Sequence, residues 1–343
     1  MPCAPQDQRG RGKMLEPESV RENIDPQHTG NAEIMEDGYQ SRAEELYAAC
    51  LASRKIPGAW DAWRDYRAQV TGYVIQNSLP GTSLAVFGAG RCNDFDLGLL
   101  LNHFSQVTLL DVDGMAMREA VKFQLLQEFG AVRENPLRLK MFPVDFVGIA
   151  GEEYVAFARA LLRYFDGQEK ASFRAAADCL SRMYDKSRGH TIRLPEGQYD
   201  YTVALGVHSQ LGNVPAWLLH AAGARVKAME SQGREGAWPQ TAGLLDRMEQ
   251  ESTFLSERLN AVILSASRKK AFIGCEVSRA VPSPDGWYAV RDSAVTGAWQ
   301  AVMDVERLAE AGRVRFGHYL DIVWPFCASE NKAYRMMVME VAR

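Results

Sequence analysis

SLAVFGAGRCNDFDLGLLL, residues 83–101, constrains the fold of this chain more than any other stretch. An apolar run of strand length ends in two glycines one residue apart, Gly88 and Gly90, and an amphipathic segment follows. A strand, a glycine turn and a helix in that order make a nucleotide or anion site. Glycines let the backbone approach a ligand, and a helix start offers unpaired N–H groups. The alternation then continues. "QVTLLDVD" reads as a second strand, "GMAMREAVKFQLLQEFG" as a second helix and "LRLKMFPVDFVG" as a third strand. Strands alternating with helices predict a parallel sheet with right-handed crossovers.

Further on, residues 151–187 read as helical, and "YDYTVALGVHSQL" as a fourth strand running into a loop. "VPAWLLHAAGARV" and "AGLLDRMEQESTFLSERLNAVILSAS" follow as helices, and "KKAFIGCEVSRA" as a fifth strand. "VRFGHYLDIVWPF" and "AYRMMVMEVAR" close the chain as two more strands, with the polar "CASENK" as a hairpin turn between them. Upstream, residues 1–40 are rich in Pro, Gly, Gln, Asn and charge, and read as a disordered tail; its RGRGK piece reads as solvated. Residues 41–79 form a helical cap. There Trp60, Trp63, Tyr66, Val70, Tyr73 and Val74 recur at spacings of three and four, on one helix face. Core packing explains such a stripe; a lid over a ligand pocket is the functional reading. Residues 80–343 then form the main domain, with helical insertions near 150–198 and 213–268.

Charge narrows the function classes. The 343 residues carry 39 basic and 43 acidic side chains, a formal net charge of −4. That balance lacks the clustered basic footprint of a nucleic-acid binder, so none is expected as a partner. No apolar run approaches the roughly 20 residues of a membrane span. With no charged-then-apolar leader pattern, a cytoplasmic protein is expected. The six cysteines, Cys3, Cys50, Cys92, Cys179, Cys275 and Cys327, are scattered without a C-x-x-C pair. They suit a reducing compartment rather than a disulfide frame or a zinc site. His28, His103, His190 and His220 show no metal-ligand spacing, and no metal is expected.

The chemistry at the first turn separates two ligands. The dinucleotide fingerprint wants a third glycine three places after the second. Here that place holds Asn93, followed by Asp94. Asp111, 21 residues after Gly90, ends the second strand, where an acid accepts both hydroxyls of an adenosine ribose. Asp145 and Phe146 end the third strand, placed for the amino group and the face of an adenine. With "FGAG", "LLDVD", "PVDF" and "YDYTVALGVHSQL" in this order, the chain resembles a class I S-adenosylmethionine-dependent methyltransferase over most of residues 80–280. The final strand pair is similar to that family's antiparallel sixth and seventh strands.

The resemblance implies an α/β fold. It has a seven-stranded, mostly parallel Rossmann-like sheet with helices on both faces, here with an N-terminal helical cap and helical insertions. It implies S-adenosylmethionine as cofactor, held by Gly88, Ala89, Gly90, Asn93, Asp94, Asp111, Val112, Asp145, Phe146 and Gly206. It implies transfer of a methyl group to a small-molecule or peptide acceptor near the fourth-strand loop. His208 and Gln210 are then the catalytic candidates. Tyr66, Tyr73, His208 and Asn213 are the substrate-binding ones, although Asn213 also reads as a helix cap. Trp60, Trp63, Tyr66 and Tyr73 are placed to cover a sulfonium by cation–π contact. Ser209 is a nearest polar candidate with His208, Gln210 and Asn213; Glu276, His318 and Tyr319 stand as weaker candidates, and Cys92 reads as a small turn residue. One departure is Val86, where the family usually has an acid that helps hold the methionine part; Asp94 or Asn93 stands across the turn to replace it.

Three alternatives stay open on the sequence. One is a nicotinamide-dependent oxidoreductase, against which Asn93 and the absence of a Tyr-x-x-x-Lys pair count. A second is a non-catalytic binding or scaffold protein on the same fold. The third is transfer of the aminocarboxypropyl group of the same cofactor. The sequence leaves the oligomeric state open.

Overall fold

A computed structural model of the chain describes residues 26–129, 138–167, 169–195, 197–229, 238–282, 288–291 and 295–343. Five strands run parallel: β1 (Ser83–Phe87), β2 (Gln106–Asp111), β3 (Leu139–Pro143), β4 (Tyr199–Leu205) and β5 (Ser267–Pro282). A short β6 (Tyr288–Arg291) pairs antiparallel with the far end of β5. The chain ends in β7 (Arg315–Cys327) and β8 (Lys332–Ala342). The order across the sheet is β3-β2-β1-β4-β5-β8-β7, and β8 lies antiparallel to both its neighbours. This is the expected seven-stranded sheet, with β6 added off its path. The "CASENK" segment makes the tight turn before β8, with Asn331 in the left-handed region at φ 49°.

The apolar alternation along β1 explains the layers. Leu84 and Val86 point to one face, Ala85 and Phe87 to the other, and all four are buried. The first face is covered by α2 (Ala59–Ala62), α3 (Arg64–Gln76), α4 (Leu97–His103) and α5 (Gly114–Phe129). Trp63, Tyr66, Val70 and Val74 supply the α3 side of that core, at the spacings read from the sequence. The second face is covered by α10 (Trp238–Ala266) and α11 (Ala298–Glu310). Helix α11 has no counterpart in the sequence reading; its buried Ala298, Ala301, Val302 and Val305 recur at helical spacing.

A third apolar cluster gathers α6 (Gly151–Phe165), α7 (Glu169–Gly189) and α9 (Asn213–Met229) with the later part of α1 (Pro26–Ser53). Tyr39, Ala43, Leu46 and Cys50 form the α1 stripe there. Helices α6 and α7 lie within residues 150–198, and α9 and α10 within 213–268. Residues 1–25 of the expected tail, RGRGK included, lie outside the described residues, whereas residues 26–40 belong to α1. Among the described residues no helix is long and apolar enough to cross a membrane.

Candidate functional site

Order in a doubly wound sheet places a ligand at the carboxyl ends of the strands, where neighbouring crossovers diverge. Here that point lies between β1 and β4. Gly88 (φ 67°) and Gly90 (φ 48°) turn the chain there in conformations that side chains avoid. The Gly88 N–H donates to the Leu110 carbonyl at 2.8 Å, tying the turn to β2. The Gly90 N–H donates to Asp111 Oδ2 at 2.9 Å, and the Asp113 N–H to Oδ1 at 2.8 Å. Asp111 is thereby fixed at the mouth with lone pairs left for a ligand. Burial raises its carboxyl above the usual range, and the two backbone donors oppose that rise. Beside it Val112 is 63% exposed and Met115 is exposed, an apolar shelf next to the carboxylate.

The loop after the glycines is longer than a dinucleotide turn. Helix α4 starts only at Leu97, capped by Asp96 Oδ1, which accepts from the Leu99 N–H at 2.9 Å. Buried Gln124 of α5 holds the intervening chain, donating to the Cys92 carbonyl and accepting from the Leu97 N–H, both at 2.9 Å. Arg67 donates to the Asn93 carbonyl at 3.2 Å while stacked on Trp60. Cys92 is buried, and burial pushes its thiol up, so it is no ready nucleophile.

Between this loop and β5 lies a buried polar cluster. Glu276 of β5 is 3% exposed, Tyr66 of α3 2% and Trp324 of β7 4%. Glu276 Oε1 accepts from Ser209 Oγ at 2.9 Å, which fixes the carboxylate. Its other oxygen and the Trp324 indole N–H have no hydrogen-bond partner among the described residues, while the Tyr66 hydroxyl is turned to Asp94. Two such atoms in one cluster are costly unless a ligand completes them. Asp94 stands beside the Tyr66 hydroxyl, and its carboxyl is raised to about 7, first by burial and then by Glu276. Burial likewise raises Glu276. Gly206 (φ 61°) makes room: a Cβ there would meet both Glu276 Oε1 and the Trp324 ring at 3.2–3.3 Å.

The structure brings Gly88, Gly90, Asp94, Asp111, Val112, Gly206 and Tyr66 to this end of the sheet. Ala89 is buried beneath the turn. It does not bring His208 there. Ser209 faces Glu276, and the preceding His208 turns to the opposite side of the sheet, 1% exposed, with Nδ1 3.9 Å from Cys275 Sγ. Burial lowers its pKa to about 4, so the ring is neutral and sealed. Gln210 and Asn213 are exposed on α8 (His208–Leu211) and at the start of α9. Tyr73 lies two turns from Tyr66, about 10 Å along α3. It packs on Phe272, with its hydroxyl beside Glu340 at the other end of β5.

Asp145 is exposed, its Oδ1 accepting the N–H groups of Val147 and Gly148 at 2.8 Å. Phe146 is turned into the core against Phe87, ring centroids 5.9 Å apart, rather than toward a ligand face. His318 and Tyr319 are exposed on β7. Trp324 carried no functional signal in sequence, and Glu276 carried a weak one. A charged residue in an otherwise apolar strand, FIGCEV, is the mark that would raise it.

The five parallel strands in the order 3-2-1-4-5, the antiparallel closing strand, the glycine turn and the fixed Asp111 now stand together. This is the fold of the class I S-adenosylmethionine-dependent methyltransferases. No protein-family model matches the sequence. No curated protein matches it either. Among solved structures it is similar to a magnesium protoporphyrin IX methyltransferase from Synechocystis PCC 6803 with bound SAM. That match is 10% identical, covers 84% of this chain and 86% of that one, and has a TM-score of 0.39. A putative RNA methyltransferase from Pyrococcus horikoshii is 10% identical over 81% and 84%, with a TM-score of 0.38. A glycopeptide N-methyltransferase is 10% identical over 80% and 89%, with a TM-score of 0.37. The fold assignment rests on the strand order.

Proposed function

We propose that the chain is an S-adenosylmethionine-dependent methyltransferase acting on a small-molecule or peptide acceptor. The observation that carries this reading is the pairing of an Asp111 fixed by the glycine turn with buried, incompletely bonded polar atoms across β1 and β4. The residues present fit the cofactor. Asp111 offers acceptor lone pairs to ribose hydroxyls, and Val112 and Met115 offer an apolar surface to a base. Asp145 remains outward for an adenine amino group. Val86, where a family acid is missing, is packed in the core; Asp94 supplies a carboxylate from the far side of the turn.

When bound, the cofactor supplies a methyl group activated on a sulfonium sulfur. The chain's own residues then have three tasks. Asp111 and the glycine turn fix the nucleoside end. Trp63, Tyr66 and Trp324 exclude water from the opposite end, which protects an in-line displacement. Glu276, held by Ser209, offers the nearest buried proton acceptor. His208 has no part in this scheme, because its ring faces the other side of the sheet.

Calorimetric titration tests the reading, with S-adenosylhomocysteine in one cell and NAD or NADP in others. S-adenosylhomocysteine is expected to bind alone, and Asp111→Ala to weaken it roughly 10–100-fold, the loss of hydrogen bonds to a charged acceptor. Tight NAD or NADP binding overturns the reading in favour of hydride chemistry. A folded protein that binds none of the three favours a scaffold on this fold.

A further inference from the structure

We infer that the recess formed by Tyr66, Glu276 and Trp324 seats a protonated amine of the acceptor. The inference rests on the methyltransferase reading and narrows its substrate class. It starts from the unpaired atoms. Glu276 Oε2 accepts only, while the Tyr66 hydroxyl, turned to Asp94, keeps lone pairs to accept with. An ammonium brings up to three N–H donors and satisfies both at once. A neutral hydroxyl brings one donor. A carboxylate or phosphate brings none and would meet the charges of Glu276 and Asp94. The Trp324 N–H, a donor only, leaves a place for one acceptor atom of the same ligand. The lining is aromatic: the Trp324 ring is 4.9 Å from Trp63 and 5.9 Å from Tyr66, centroid to centroid. Such a lining favours a cation once it is desolvated.

Position separates this recess from the cofactor's nucleoside end. The strand order β2-β1-β4-β5 sets Glu276 three strand spacings from Asp111, roughly 14 Å. Glu276 reaches the site from β5, past Gly206 of the β4 turn, while Asp94 belongs to the glycine loop. The cofactor side is thus served by Asp94 and the acceptor side by Glu276. Charged and titratable neighbours of Glu276 come from every side: Asp94 from the loop, Tyr66 from α3, Tyr334 from β8 and Cys275 from its own strand. Arg67 acts on Asp94, and Lys332 and Arg279 act on Tyr334, but among the described residues no cation is named against Glu276 itself. Burial makes Glu276 a stronger base than an exposed carboxylate. The ammonium N–H proton passes to Glu276 Oε2, leaving a carboxylic acid and a neutral amine with its lone pair free. An amine needs that lone pair before it can accept a methyl group.

The test uses the full chain with n-butylammonium as the cationic probe and 1-butanol as its neutral counterpart. Binding is followed by ligand-observed NMR, with and without saturating S-adenosylhomocysteine. The expected result is that n-butylammonium binds roughly tenfold or more tightly than 1-butanol. S-adenosylhomocysteine does not displace it. Glu276→Gln removes the preference for the cation and leaves S-adenosylhomocysteine affinity unchanged. If Glu276→Gln fails to fold, Tyr66→Phe gives a second reading: it removes one oxygen and should weaken the cation several-fold while sparing S-adenosylhomocysteine.

Equal binding of the alcohol, no cation binding, or displacement of the cation by S-adenosylhomocysteine each overturns the inference. The last result would give the recess to the cofactor. S-adenosylhomocysteine binding without cation binding keeps the methyltransferase reading and removes the amine site. Cation binding without S-adenosylhomocysteine binding keeps the recess as a cation site but overturns the assignment to a methyl acceptor.

Discussion

At Gly88 two demands meet on one residue. The backbone sits at φ 67°, which costs a side-chain-bearing residue roughly 1–2 kcal/mol. A Cβ there would also lie 2.2 Å from Val207 Cγ2, because the β4 turn packs its valine over the β1 turn. Relieving that overlap costs roughly 1–3 kcal/mol more. Gly88→Ala should therefore lower stability measurably in urea unfolding and weaken S-adenosylhomocysteine binding. Gly88→Ala combined with Val207→Ala should recover the packing part and leave the backbone part. A double variant no more stable than Gly88→Ala alone would refute the contact as the cause. The glycine was legible in the sequence because both demands are local to a strand end. Its partner Val207 was not, since it lies over a hundred residues away.

At the scale of elements, the same division holds. Strands β1 to β5, the final pair and the α3 stripe were readable because periodicity and turn residues are properties of neighbours in the chain. The polar cluster is different. Tyr66, Glu276 and Trp324 sit on α3, β5 and β7, and β8 inserts between the last two. No spacing in the sequence announces that β7 sends an indole toward β5. His208 shows the reverse: its place after β4 points to the site, yet one residue of helical turn sets Ser209, not His208, against Glu276.

Helix α5 offers a test of how elements hold the loop. Gln124 is the link between α5 and the residues after the glycines, and nothing in its sequence context marks it. Gln124→Ala leaves the Leu97 N–H unsatisfied in the core, at about 1–3 kcal/mol, and leaves the Cys92 carbonyl with only the Phe95 N–H. S-adenosylhomocysteine affinity should fall in calorimetry although Gln124 is not placed among the ligand-binding residues. Gln124→Glu, which keeps an acceptor for Leu97, should lose less. Unchanged affinity in both variants would mean the loop is held elsewhere, by Arg67 and Thr71.

Over the whole molecule, buried groups on the two faces of the sheet pull stability in opposite directions with pH. His208 titrates at about 4 when folded and near 6.5 when unfolded. Between those values the unfolded chain binds a proton that the native one refuses, so stability is full above pH 6.5 and is lost as pH falls toward 4. The span corresponds to about 3 kcal/mol. Asp94 moves the other way, from 3.8 unfolded to about 7 folded, and Glu276 is raised in the same sense. Their native protons stabilise the fold at low pH, and that contribution is lost as pH rises through 7. The slopes oppose each other in the intact protein, so its urea stability should vary less with pH between 4.5 and 7 than that of a variant lacking either side. His208→Gln should expose the falling slope, and Asp94→Asn with Glu276→Gln the rising one. Parallel pH profiles in all three proteins would refute the assignment. If the slopes separate as expected, a bound cation must compete with the protons on Asp94 and Glu276. Affinity for n-butylammonium should then climb as pH approaches 7, while the His208 side of the sheet stays indifferent to the ligand.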